Sequence, residues 1–244
     1  MKLAILFWFY KNPEVCESRL QLLKQNNPNM KIFGLFGGSK SEAALFKKRI
    51  GRHLDDFYVS PYRSTAWKWI NGDLMLLEWF RARGKRLSWD SIVIVQWDML
   101  VFDSLRRIFG GIKKNEIFLS GYRTITRRIE SRWDWTKPGT KERKNYIRFL
   151  EYVRKNYNYR QKPVICLFIL QVFPRIFFEK YLTVKNRQIG MLEYKVPIYA
   201  KVFKIPVYRK NFGVQWDEGK KNRPLNAIPD EISEPYIRRQ LADL

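Results

Sequence analysis

Histidine is almost missing from this chain: His53 is the single one. That excludes a multi-histidine metal centre, and a Ser-His-Asp triad would have to use His53 itself as the base. Cysteine is nearly as scarce. Cys16 and Cys166 cannot build a disulfide framework or a four-thiolate zinc site, and such sparing use fits a reducing compartment. Acidic residues are few: 23 Asp and Glu face 47 Lys and Arg, leaving a net charge of +24. No apolar run approaches the roughly 20 residues that a membrane-spanning helix needs. Lys2 followed by Leu3–Tyr10 has a faint likeness to a signal peptide, but the run is short and bulky and no small-residue cleavage site follows it. A buried first strand is the better reading. These absences lead to the expectation of a cytoplasmic protein, with peripheral contact at an anionic membrane open to its basic face.

What is present is a core. Apolar residues make up 45% of the 244, aromatics 16%, and there are nine Trp. A disordered polycation lacks the apolar side chains needed to offset ordering entropy, so this is a folded chain with a very basic skin. The length suits one domain. Neither an internal repeat nor a clean linker divides it. We read 1–105 as one half, 106–215 as a basic second half and 216–244 as a surface tail.

The first hundred residues alternate between strand and helix patterns. Leu3–Tyr10, Lys31–Phe36, Asp56–Ser60 and Ser91–Gln96 read as short buried strands. Between them, Glu14–Lys24, Ser41–Ile50 with Ser41 as N-cap, and roughly 66–82 capped by Ser64 or Thr65 read as helices. Gly72 sits inside the last and should cost about 1 kcal/mol against alanine. This alternation predicts an α/β fold, with a mainly parallel central sheet flanked by helices. Ligands of such sheets bind beyond the carboxyl ends of the strands. Those ends are Tyr10-Lys11, Gly37-Gly38-Ser39, Ser60 and Gln96-Trp97-Asp98.

The second half is read as a strand at Glu116–Tyr122, a basic irregular stretch over 123–140, and an amphipathic helix at Lys141–Tyr157. A strand at Pro163–Phe173 and helices near Arg175–Leu182 and 186–194 follow, and Pro197 and Pro206 break up the next stretch. Residues 106–162 hold 17 Lys and Arg against 5 acidic residues. This concentration of charge should attract phosphates or anionic surfaces, unless it is only a solvated face.

The sharpest local feature is the strand Ser91–Gln96 running into Trp97-Asp98. It delivers one carboxylate among apolar residues, which is costly unless it binds a cation or accepts hydrogen bonds. A Mg²⁺ or Mn²⁺ shared with a substrate diphosphate would satisfy it; so would capping the next turn.

Four segments, in this order, resemble a GT-A type, nucleotide-sugar-dependent glycosyltransferase. They are Leu3–Tyr10; the helix holding Trp67 and Asp73; the strand ending Gln96-Trp97-Asp98; and Phe173–Tyr181 followed by Glu193–Tyr199. The resemblance touches most of residues 1–210. It implies a Rossmann-like single domain, a nucleotide-sugar donor, a glycan, lipid-linked or other hydroxyl acceptor, and Mn²⁺ or Mg²⁺. Asp98 matches the last aspartate of the family's metal motif, and Gln96 stands where its first aspartate belongs. Tyr10, Lys11 and Asp73 fall at positions near the donor. Glu193 falls where related enzymes carry an acidic residue facing the acceptor, as the candidate general base. Asp134, in a loop, is the competing candidate. Trp67, Trp97, Trp133 and Trp135 lie where they could line the site or stack on a base or sugar.

Two other readings stay open at this point. Gly34–Ser41 nearly fits the P-loop pattern of an NTP-binding protein, with Ser39 where the second glycine belongs. The aromatics interleaved in the basic stretch, Trp133 and Tyr146 among them, suit a nucleic-acid-binding protein or a Mg²⁺-dependent nuclease.

Overall fold

The structure is a computed structural model that describes residues 1–61 and 63–210. The tail at 216–244 therefore lies outside the described residues. Among those described, no helix is long and apolar enough to cross a membrane.

Strand β1 (Leu3–Phe9) is buried at all seven positions. It is the centre of a six-stranded sheet with β2 (Ile32–Phe36), β3 (Asp56–Val59), β4 (Ser91–Gln96), β5 (Phe118–Leu119) and, later in the chain, β8 (Leu170–Pro174). The strand order is β3-β2-β1-β4-β8-β5. The first four are parallel, with Phe9 level with Phe36 of β2 and Trp8 level with Gln96 of β4. β8 runs antiparallel to β4, and β5 antiparallel to β8. The two halves of the chain thus share one sheet. A separate two-stranded ladder pairs β6 (Arg123–Thr124) with β7 (Val164–Ile165).

Alternation along β1 sends successive side chains to opposite faces. Phe7 and Phe9 meet α1 (Pro13–Asn26) and α2 (Ala43–Ile50) through Cys16, Leu20 and Phe46. Leu6 and Trp8 face the other layer. That layer holds α3 (Thr65–Trp79), α6 (Lys141–Tyr157), α7 (Arg175–Tyr181) and α8 (Leu192–Val202). Two short helices, α4 (Leu105–Ile108) and α5 (Arg127–Arg132), are also present among the described residues.

Several boundaries differ from the sequence reading. The apolar run 163–173 is interrupted: β7 ends at Ile165, and β8 starts only at Leu170. The strand expected over 116–122 keeps two residues, and the stretch 123–140 carries β6 and α5. Ser41 does not cap α2; Glu42 holds that place without a side-chain cap bond. Ser64 does cap α3, accepting from Trp67 N–H at 3.2 Å. The helix placed at 186–194 begins at Leu192, and it runs through Pro197 to Val202.

Gly72 also has a positive reason to be there. A Cβ at this position would strike the six-membered ring of Trp8. The glycine that costs helix propensity is what lets α3 lie against the sheet. Gly72→Ala should therefore lose about 1–3 kcal/mol through overpacking, although propensity alone favours alanine. Urea unfolding checks the sign.

Candidate active site

The strand order reverses at β1: the chain leaves β1 for β2 on one side, while β4 lies on its other side, and ligands of such sheets bind beyond the carboxyl ends at such a reversal. A cleft of about 260 Å³ opens there. Trp8 and Tyr10 supply its β1 side and Gln96 its β4 side. Lys68 and Trp69 reach in from α3, Trp135 from the segment after α5, Phe168 from the β7–β8 connection, and Met191, Leu192 and Glu193 from the start of α8.

Glu193 is the carboxylate of this cleft, and the chain grips it twice. Phe168 N–H donates to Glu193 Oε1 at 3.2 Å. Cys166 N–H donates to the Glu193 carbonyl at 2.8 Å. That carbonyl is available for a reason four residues away. In a regular helix it would accept from residue 197, but Pro197 has no N–H. The proline does not end the helix; it frees an acceptor on which the 166–168 segment docks. The Gln96 amide completes the chain by donating to the Phe168 carbonyl. Strand end, connecting segment and helix start are thereby tied through Phe168 and Glu193.

Burial pushes the Glu193 carboxyl up to about 7, against the Phe168 N–H, which favours the charged form. A carboxylate poised near neutrality can take a proton at one moment and give it up at another. The cation of the cleft is Lys68, which is buried. Its Nζ donates to Gly37 O at 3.0 Å and lies 4.2 Å from the centre of the Tyr10 ring. Burial pulls its ammonium below the ordinary lysine range.

The expected site residues separate into three groups. Glu193, Tyr10 and Gln96 line the cleft. Lys11, Trp97 and Asp98 sit beside it rather than in its walls. Lys11 Nζ is 4.8 Å from the Trp97 ring centre, and Tyr10 meets that ring edge-on at 5.7 Å. Asp73, Asp134 and Trp67 are elsewhere. Asp73 is buried behind the cleft wall, its Oδ2 paired with Lys195 Nζ at 3.0 Å and accepting from Tyr181 OH. Asp134 is exposed and pairs with Lys137 at 2.5 Å, while its neighbour Trp135 takes the cleft position. Trp67 lies under the Arg63 guanidinium at 5.1 Å. Trp69, two residues on and 61% exposed, takes the place at the cleft. Trp133 packs edge-on against Tyr194 in the core. Lys68 and Trp69 went unread because flanking residues on a helix point in different directions, and only the fold says which one faces the sheet end.

Asp98 decides whether these residues fit a divalent ion. In favour, Asp98 Oδ1 is buried with no hydrogen-bond partner among the described residues, and burial pushes its carboxyl up to about 6. Against, Lys11 and Arg19 already place positive charge beside it, and the Gln96 amide is turned to Phe168 O. No three His, Cys, Asp or Glu converge on one point among the described residues. Among the described residues there is thus no protein-held Mn²⁺ or Mg²⁺ set.

The Gly37-Gly38 loop is no phosphate cradle either. Gly34 lies inside β2, opposite Phe7. Ser39 N–H and Oγ are both directed to the Glu42 carboxylate. A Cβ on Gly37 would come within 2.6 Å of Met75 Cε, so this glycine serves packing.

No family model matches the sequence, and no curated protein matches it. Similar solved structures include the bifunctional glycosyltransferase WbbM without ligand, at 12% identity and TM-score 0.47, covering 88% of this chain and 39% of that one. A cytidylyltransferase from Leptospira borgpetersenii is also 12% identical, with TM-score 0.47 over 86% of this chain and 76% of its own. The galactosyltransferase LgtC, in complex with donor and acceptor sugar analogues, is 11% identical, with TM-score 0.46 over 84% and 72%. At such values these likenesses carry no argument about chemistry. That has to come from the cleft.

Two outcomes test the geometry of Glu193. Its carboxyl titrates higher in the folded chain (about 7) than its ordinary value of 4.5, so folding favours the protonated form. Stability is then full below about pH 4.5 and falls as pH rises through 7, by about 3 kcal/mol. Glu193→Gln should remove this fall and leave the variant more stable than wild type at pH 8, read by urea unfolding at both pH values. Pro197→Ala supplies Glu193 O with a competing helical donor. Amide exchange at Cys166 should accelerate at least tenfold with the helix signal retained. Unchanged exchange would mean that the two donors share the carbonyl without loss.

Proposed function

We propose that this chain is a glycosyltransferase, moving a sugar from a nucleotide-sugar donor to a hydroxyl acceptor, with Glu193 as the general base. The observation that carries this reading is one near-neutral carboxylate facing a small cleft at the point where the strand order reverses. The order of the four resembling segments supports it as well.

The chemistry needs three things. The acceptor hydroxyl must lose its proton as its oxygen bonds to the anomeric carbon, and Glu193 receives that proton. The bond from the anomeric carbon to the diphosphate oxygen must break, leaving negative charge on the nucleotide. Lys68 in the cleft and Lys11 at its edge supply positive charge for that oxygen. Finally, the sugar must be held while this happens. Trp69 and Trp135 offer indole faces at the cleft, and aromatic faces are apolar platforms suited to sugar rings. At about 260 Å³ the cleft falls just below the roughly 300–1,000 Å³ range of ligand pockets. It suits a single sugar residue with the nucleotide extending toward Tyr10 and Lys11. A single displacement of this kind inverts the anomeric centre.

The test is nucleotide release from a panel of UDP-, GDP-, dTDP- and CMP-sugars, with and without a hydroxyl acceptor and with and without EDTA. One donor should be used, and EDTA should leave the rate within about twofold. Glu193→Gln should slow transfer about 10²–10⁴-fold while keeping the donor's thermal shift. Near wild-type transfer by that variant moves the base elsewhere, with Asp134 the next candidate. Loss of activity in EDTA restores the metal and gives Asp98 its ligand role.

A further inference from the structure

Behind the cleft wall lies a buried charged cluster for which the transfer chemistry has no use. Asp73 Oδ2 and Lys195 Nζ are 3.0 Å apart, and their side chains are 2% and 0% exposed. Tyr181 OH donates to the same Asp73 oxygen, and Lys195 Nζ also donates to Arg187 O at 3.0 Å. Burying an ion pair removes two charges from water, and apolar side chains of similar size often serve stability as well or better. A cluster kept here is poorly explained by stability alone.

Its location supplies an explanation. Asp73 follows a bend in α3, where Asn71 leaves helical geometry at φ −126° and ψ 23°. On the near side of that bend are Lys68 and Trp69, which enter the cleft. Lys195 is two residues after Glu193 on α8. The pair therefore links the two helices that carry the cation and the carboxylate of the site. Apolar packing lets helices slide by fractions of an ångström, whereas a short, hydrogen-bonded ion pair fixes direction and spacing together.

We propose that the Asp73–Lys195 pair, clasped by Tyr181, is a positioning device that holds the bent α3 against α8 and so sets the spacing of Lys68 and Glu193 across the cleft. Its link to catalysis rests on the transfer reading above; its structural part does not. Neither Asp73 nor Lys195 touches substrate. They act through the helices they join.

The deciding variant is Asp73→Leu/Lys195→Met, which replaces the pair by apolar groups of similar size. Its unfolding midpoint should equal or exceed that of wild type. Amide exchange should nonetheless rise at least tenfold at Lys68, whose N–H is bonded to Ser64 O, and at Phe168, whose N–H is bonded to Glu193 Oε1. In transfer, kcat should fall more than tenfold with donor KM changed less than threefold. Wild-type exchange at both amides overturns the proposal. So does a rise spread evenly over the chain with a lower midpoint, the mark of a purely stabilising pair. If the double variant does not fold, Tyr181→Phe decides, because it removes only the clasp: exchange at the same two amides should rise three- to tenfold, and unchanged exchange overturns the proposal. A wild-type protein that turns over no nucleotide-sugar would sink the transfer reading while leaving the exchange result intact.

Discussion

The double hold on Glu193 is the constraint around which the site is organised. Its carbonyl accepts from Cys166 and its carboxylate from Phe168, so one residue joins the start of α8 to the β7–β8 connection. Each bond depends on the other. The carbonyl bond brings the segment close enough for Phe168 N–H to reach the side chain, and Gln96 then holds Phe168 from the opposite side. Pro197 makes this possible by lacking a hydrogen. A residue usually read as a helix breaker here leaves the helix whole and converts a lost internal bond into a tertiary one. Buried backbone groups need partners, so an acceptor freed inside the protein is an instruction for where another segment must dock.

The sheet places that instruction where a ligand can reach it. β1 is apolar on both faces because helices cover both, and its register with β4 brings Trp8 level with Gln96. The carboxyl ends of these two strands form the floor of the cleft. The second half of the chain does not build a separate body. It adds β8 and β5 to the far edge of the same sheet and then returns α8 over the strand ends. The acidic group of the cleft thus comes from the half of the chain with most of the basic charge excess, and its proton affinity is raised by burial rather than by a second carboxylate.

Much of this was legible before any coordinates. Strand and helix alternation over the first hundred residues predicted the parallel core, because period-2 and period-3.6 patterns are local properties. Tyr10, Gln96 and Glu193 were singled out, and all three line one cleft. What stayed hidden was everything that depends on packing between distant segments. Asp73 has the look of a ligand-binding acid, but its partner Lys195 is over a hundred positions away and no local pattern joins them. Trp67 and Trp69 are equivalent in composition, and only the direction of α3 over the sheet separates the core-edge indole from the exposed one. The apolar run 163–173 looked like one strand because its composition is uniform; in the break at 166–169 the Cys166 and Phe168 amides go to Glu193 and the Leu167 amide to Ser120 O, with no turn residue present.

Asp73, behind the cleft wall, and Glu193, in it, illustrate different solutions to one problem. An ionised carboxylate away from water must be neutralised, paired or hydrogen-bonded. Asp73 is paired, with Lys195 and Tyr181 bonded to the same carboxylate oxygen, a fixed link between two helices. Glu193 accepts one backbone N–H and has no cation bonded to it among the described residues, so burial raises its proton affinity until the carboxyl titrates near neutrality, at about 7. Giving Glu193 an ion-pair partner would lower its proton affinity and remove its titration near neutrality. The same helix, α8, carries the carboxyl that titrates near neutrality at Glu193 and the ion-paired Lys195. The separation of roles follows from their being two residues apart, so that one side chain faces the cleft and the other faces α3.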